Sequence, residues 1–306
     1  MKYEALCLKD VIKNLNEGYA LKSISIRVFE GELIGIIGRN DSGILTLSSI
    51  LAGETSYDSG SISIFEKSVD SNIDVIKTEI CHIGSIIKLH ANFTIAENLC
   101  ITSPPIIKSG WITYKKMVKA AEDILDRFKL NLDPAKKISR LSSFEKRIVE
   151  LLRAVLRDIR IIILENPLHN YNKKDYDVYY SILKRLANEG RSIIVIETNP
   201  MMPLDIFDRL VTIENGNIHG IFHKNMLANK TFSDLIHHDK IVSNQNTVKY
   251  NKNSNLIVEI KDLELNNNKI DYAYVKEGEV VGFIGNAYDS IMKIFDGNKN
   301  YKGSIV

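Results

Sequence analysis

The chain has 306 residues, 44% of them hydrophobic, with 40 basic against 38 acidic side chains and a formal net charge of +2. That length holds one large or two modest domains with a real core, and the balance gives no electrostatic ground for nucleic acid or an anionic membrane surface as partner. Cys7, Cys81 and Cys100 are far apart and never C-x-x-C, as in a reduced cytosolic compartment. The start, MKYEALCLKD, has no signal-peptide core, and the longest apolar runs, such as IIIL at 161–164, fall far short of the roughly 20 residues that cross a bilayer. Membrane association is therefore expected only through a partner.

In chain order, the first strong signal is ELIGIIG (32–38), an apolar strand running into the loop GRNDSGILTL (38–47). The spacing G-x-x-x-x-G is that of a phosphate-binding loop, whose backbone N–H groups cradle phosphates while a following Lys and a hydroxyl hold the outer phosphates and Mg²⁺. Ile44 and Leu45 stand at those two positions, Asp41 adds a carboxylate, and Thr46 offers its hydroxyl one position late. Each lost charge-assisted bond is worth about 1.5–3 kcal/mol. Two of them amount to roughly a hundredfold or more in affinity. DSGSISI (58–64) reads as a turn. From 113 to 129 the spacing of Met117, Val118, Ala121, Ile124, Leu125 and Phe128 predicts one apolar helix face after a Thr113 cap.

LSSFEKRIVELLRAVLRD (141–158) predicts a helix begun by a Ser142-x-x-Glu145 capping box, with the charges of KRIVELLRAVLRDIR on a solvated face. IIIL (161–164) and SIIVIE (192–197) are continuous β-branched runs, as in strands buried on both faces, with a helix over 176–187 between them. SNQNTVKYNKNSN (243–255) reads as a linker. Beyond it EGEVVGFIG (277–285) matches EGELIGIIG (30–38) at six of nine positions, an offset of 247 that indicates domain duplication. The second copy, with YKGSIV (301–306) as its turn, runs for about 50 residues, too few to bury its own sheet, so it is expected to be cut short or completed by something else.

The loop, TIAENL (94–99), LSSFEKRIVELLRAVLRD, IIILENP (161–167), IIVIETN (193–199) and FDRLVTIENGNI (207–218) come in an order that resembles the ATP-binding cassette (ABC) family. The stretch VELLRAVLRDIRIIILENP and the internal repeat are similar to the tandem-cassette subunits of ribose/galactose-type carbohydrate importers. The resemblance implies an α/β fold: an ABC-type P-loop nucleotide-binding domain, with a β-rich N-terminal part, a parallel sheet with flanking helices, and a helical subdomain at about 86–140. It implies a cassette over 1–240, a linker over 241–255 and the start of a second cassette over 256–306. It also implies a cytoplasmic subunit, peripheral on the inner face of the membrane through a transmembrane permease, that pairs with another cassette and binds ATP with Mg²⁺.

The family's functional positions map onto this chain one by one. Gly38, Arg39, Asn40, Asp41, Ser42, Gly43, Ile44, Leu45 and Thr46 form the phosphate loop, without its lysine. Leu141, Ser142, Ser143, Phe144 and Glu145 stand for the glycine-rich signature that faces ATP on an opposing cassette; Phe144 blocks that approach and Glu145 repels the anion. Glu165 keeps the carboxylate at the Mg²⁺-organising position, while the general base is Asn166, an amide that cannot take a proton. Ser85 replaces the coupling glutamine, and Thr198, followed by Pro200, replaces the switch histidine. Asn172 stands at the D-loop aspartate, and Leu15, with Tyr19 near, at the adenine-stacking aromatic. In the second copy Asp289, Ser290 and Ile291 break the equivalent loop.

Two readings follow: a degenerate pseudo-ATPase cassette, with ATP/Mg²⁺ binding weak or absent, that acts as scaffold or regulator, and an importer ATPase subunit that binds nucleotide weakly through Glu165 and the backbone of 39–43, with catalysis supplied by a partner. A decayed gene product is the third. If Asp41 and Phe144 turn away and leave a cavity shaped for a triphosphate, the second reading survives. His219, His223, His237 and His238 read as surface histidines without a ligand set, so no metal site is expected from them.

Overall fold

The computed structural model describes residues 3–15, 19–69, 76, 78–101, 113–167, 171–198, 204–227, 235, 255–265, 268–277 and 302–305. The chain divides into two compact units, Met1–Lys240 and Ile241–Val306. The first contains an antiparallel sheet of β1 (Glu4–Asn14), β2 (Tyr19–Phe29), β4 (Ser59–Ile64) and β5 (Lys67–Ser68), in the order β2-β1-β4-β5. Its second sheet is built from β3 (Leu33–Gly38), β6 (Ile80–Ile83), β7 (Ile161–Glu165), β8 (Ser192–Glu197), β9 (Arg209–Glu214) and β10 (Asn217–His223). The order there is β10-β9-β3-β8-β7-β6, parallel throughout except for the antiparallel edge strand β10.

The continuous apolar runs are buried on both faces of this sheet. Ile161, Ile163, Ile194 and Ile196 face a core shared with the antiparallel sheet and α1 (Ile44–Leu51). Ile162, Leu164, Ile193 and Val195 face a second core that takes in α2 (Ile95–Cys100), α3 (Tyr114–Arg127), α4 (Ser143–Leu156) and α5 (Lys173–Asn188). The predicted α3 face is buried at Ala121, Ile124 and Leu125, and Thr113 caps it by accepting from the Lys116 N–H.

Two expectations are corrected. Within the stretches read as turns, Ser59–Ile64 and Lys302–Ile305 are strands: Ile62 and Ile64 alternate inward and pair with Leu8 and Leu6 of β1, and β13 (Lys302–Ile305) pairs with β11 (Leu256–Leu265). The charges of α4 are not all on a solvated face. Arg147 and Glu150 turn inward, 4% and 3% exposed, with 2.9 Å between Nη1 and Oε2. Arg147 also donates to the carbonyls of Gly84 (2.7 Å) and Ser85 (2.8 Å), and Glu150 accepts from the Lys88 N–H (2.6 Å). Partners that come from a distant segment are invisible to helical periodicity.

In the second unit β11, β12 (Asn268–Lys276) and β13 form an antiparallel sheet in the order β12-β11-β13, the order of β2-β1-β4. The two sheets share an irregularity. Pairing slips between Lys9 and Ile12 in β1 and between Lys261 and Glu264 in β11, around Asp10 (φ 50°) and Asp262 (φ 48°). Aspartate is among the few residues that tolerate a left-handed backbone, so each bulge has the same local cause. The second loop with Asp289, Ser290 and Ile291, and His237, His238 and Pro200, lie outside the described residues.

Candidate functional site

The loop after β3 closes tightly. A Cβ on Gly38 would lie 2.5 Å from Ser42 Oγ and 2.6 Å from the Ile213 carbonyl; one on Gly43 (φ 91°) would lie 2.0 Å from the Ala20 carbonyl. Glycine is required at both, at the second for its left-handed backbone as well. Ile44, at the lysine position, is fully buried in the core beneath the antiparallel sheet. Arg39, Asn40 and Asp41 are exposed, Asp41 standing 3.7 Å from Arg39. Leu45 is exposed and Thr46 half-buried. Ser42 is buried and its hydroxyl has no partner among the described residues. The cavity beside the loop, lined by Arg39, Asp41, Ser42, Ile213, Glu214 and Asn215, is about 60 Å³.

One turn into α1, Ser48 donates a hydrogen bond of 2.5 Å to Glu165 Oε2. Ser85 donates to Oε1 at 3.0 Å, and His82 Nε2 lies 3.1 Å from Ser48 Oγ and 3.5 Å from Glu165 Oε2. The hydrogen bond from His82, with those from Ser48 and Ser85, holds the Glu165 carboxyl down at about 2 against the opposing effect of burial. The carboxylate is therefore ionised and can only accept. Ser48 spends its one proton there and must accept from His82, which places the imidazole proton on Nε2.

Asn166 follows in a left-handed conformation (φ 42°), its N–H donating to the Ile196 carbonyl. Its Oδ1 accepts from the Thr198 N–H at 3.0 Å and the Thr198 hydroxyl at 3.2 Å, so two predicted positions are joined directly. With Ser85, Arg147 and Pro167 they line a cavity of about 430 Å³. Arg147 Nε is buried and has no partner among the described residues. Next to Thr198, burial pushes the Glu197 carboxyl up to about 8.

At the start of α4 the capping box is formed: Ser142 Oγ accepts from the Glu145 N–H (3.1 Å) and Glu145 Oε2 from the Ser142 N–H (2.6 Å). Ser143 is exposed, and Phe144 meets Tyr171 edge-on at 5.9 Å, half-buried against the core. Asn172 caps α5 by accepting from the Asp175 N–H. Leu15 is exposed, and Tyr19 opens β2. Ser85, Glu165, Asn166 and Thr198 thus meet at the ends of β6, β7 and β8, while Ser142 to Glu145 bond among themselves and with Tyr171 and Lys136. Sequence reasoning missed Ser48, His82, Arg147 and Glu150. Only Ser48 left a trace, four residues after Ile44 and so on the same face of α1.

A six-stranded sheet of this order, with an antiparallel sheet on one face and a loop-to-helix phosphate position after β3, is the ABC ATPase fold. Residues 21–169 match the ABC transporter family. The fold also matches a solved structure of the ADP conformation of an ATP-binding cassette of an ABC transporter (TM-score 0.64, 24% identity, 74% of this chain and 94% of that one). The chain contains an ABC transporter ATPase domain, close in sequence to sugar import ATP-binding proteins: a ribose import ATP-binding protein of Yersinia pestis is 28% identical over 232 residues, and an arabinose import ATP-binding protein of Rhizobium johnstonii 26% over 281. Those matches cover 75% and 89% of this chain but 46% and 55% of the relatives, so the chain spans about half the length of the proteins it resembles. Domains of this class bind ATP with Mg²⁺.

Proposed function

We propose that this chain is a hydrolysis-impaired cassette of a carbohydrate ABC importer, acting as a scaffold or regulator on a transmembrane permease or a partner cassette. The observation that carries the reading is the cavity at the ends of β7 and β8. Among the described residues its lining is Ser85, Arg147, Asn166, Pro167 and Thr198, with no carboxylate or imidazole to take a proton from water. A missing general base removes about 10²–10⁴ in rate. Further support comes from Ile44, whose burial leaves the loop's lysine position without a cation for phosphate.

The partner class is inferred from the ribose and arabinose import names of its relatives. Among the described residues no helix is long and apolar enough to cross a membrane, so the chain would sit on the inner face through its permease. The domain reading is that 1–240 form one cassette, 241–255 link, and 256–306 open a second; the shared strand order and the matching Asp10 and Asp262 bulges support it.

One observation favours the alternative of a working importer ATPase subunit. The first turn of α1 carries no side-chain cap and no acidic residue, so its N–H groups remain a pole for an anion. Asp41, in solvent beside Arg39, does not fill that space. The test is calorimetry with Mg·ATP and a phosphate-release assay on one sample, with capture of the permease by the tagged chain. Permease capture without turnover is the expected result. Turnover above background overturns the impaired reading, and failure to recover any permease overturns both.

A further inference from the structure

Cassettes of this class hold Mg²⁺ through the carboxylate at the end of β7, and the donors around Glu165 do not fit that ion. Mg²⁺ needs a nearly regular octahedron of oxygens at about 2.0–2.1 Å. Oε2 is occupied by the Ser48 hydroxyl at 2.5 Å, with His82 Nε2 at 3.5 Å, and Oε1 by Ser85 at 3.0 Å. The residue that would bring the loop's own side-chain oxygen is Leu45, whose side chain has none. Among the described residues no group of three or more His, Cys, Asp or Glu could hold a metal.

We infer that Ser48, His82 and Ser85 stand in the place of the metal, making Glu165 a metal-independent clasp that joins α1 to β6 and β7. The three donors come from three places in the chain: Ser48 from α1, His82 from β6 and Ser85 from the segment after it. Each supplies what a cation supplies at an ionised carboxylate, a positive end aimed at an oxygen. With Ser48 fully buried and His82 only 13% exposed at its side chain, the clasp works from the protein side of the carboxylate. It closes the site to a divalent ion and ties down the helix that follows the loop.

The inference rests on the proposed reading of Glu165 as the family's metal position, and its test separates the two. The full chain is titrated with Mn²⁺, read by electron paramagnetic resonance, and its thermal midpoint is followed with millimolar Mg²⁺ or with chelator, for wild type, Ser48→Ala, Ser85→Ala and Glu165→Gln. The expected result is that wild type and Glu165→Gln take up equal Mn²⁺, that the wild-type midpoint ignores Mg²⁺ and chelator, and that Ser48→Ala melts lower under both conditions. Ser85 is exposed at the rim, so Ser85→Ala folds and reports the same loss in smaller measure. One Mn²⁺ per wild-type chain that Glu165→Gln abolishes overturns the clasp, as does a Ser48→Ala midpoint equal to wild type. Metal uptake that Glu165→Gln abolishes, without phosphate release, overturns the clasp and leaves the scaffold reading standing. Mg²⁺-dependent phosphate release that stops in Glu165→Gln overturns both.

Discussion

Two helices begin where the family brings phosphate to a helix N-terminus, and they have been treated in opposite ways. α4 starts under a complete capping box, Ser142 and Glu145 exchanging hydrogen bonds, with Phe144 folded onto Tyr171. α1 starts at Gly43 with no side-chain cap, held from below by Ser48 on Glu165. A capping box commits the N–H groups of Ser142 and Glu145 to the chain itself, whereas a bare start leaves all of its first-turn N–H groups for an anion. On the proposed reading, α4 is closed to an opposing cassette's nucleotide, and α1, with Ile44 in the core at the lysine position, keeps its backbone pole.

The largest effect is expected away from either cap, in what positions α4. Glu150→Ala leaves the Arg147 guanidinium buried without its carboxylate, which costs about 3–5 kcal/mol. Urea unfolding measures it, and a change no larger than that of a surface charge would mean that α4 is set by its cap alone. Next comes Gly43→Ala at the start of α1. A left-handed non-glycine residue costs about 1–3 kcal/mol, and the new Cβ meets the Ala20 carbonyl at 2.0 Å, so the same measurement should show at least that loss.

Ser142→Ala should cost about 1 kcal/mol, the worth of one N-cap. A Ser142→Ala variant as stable as wild type would erase the distinction between the two helix starts.

Both helix starts lose support in acid. Glu165 is held down at about 2 by His82, Ser48 and Ser85. Its contribution is present above the unfolded value of about 4.3 and is lost as pH falls through about 2. Burial raises the pKa of Glu145, but the bonds from Ser142 and Lys136 outweigh it and leave it lowered, so its share is also lost on the acid side. Glu165→Gln should flatten the wild-type loss between those limits; an unchanged acid profile would show that the carboxylate is not clasped. The smallest effect belongs to Asp41, exposed and 3.7 Å from Arg39, where Asp41→Ala should move stability by less than about 0.5 kcal/mol.

Much of this was legible along the chain because its physical causes are local. The runs IIIL and SIIVIE are strands because β-branched residues without polar alternation suit a sheet covered on both faces. The apolar face of α3 and the Ser142 cap are likewise local, since i, i+3 and i+4 neighbours meet on any helix. The phosphate-loop spacing and the substitutions at Ile44, Asn166 and Thr198 were readable as residue types at fixed places. Only folding showed what those residues do instead: Ile44 joins the core, and Asn166 binds Thr198 across neighbouring strands. Ser59–Ile64 became a strand because β1 was there to pair with it. Arg147, Glu150, Ser48 and His82 gained their roles from partners up to 117 residues away. A buried polar group is defined by who meets it, and in this chain those meetings are made by the sheet.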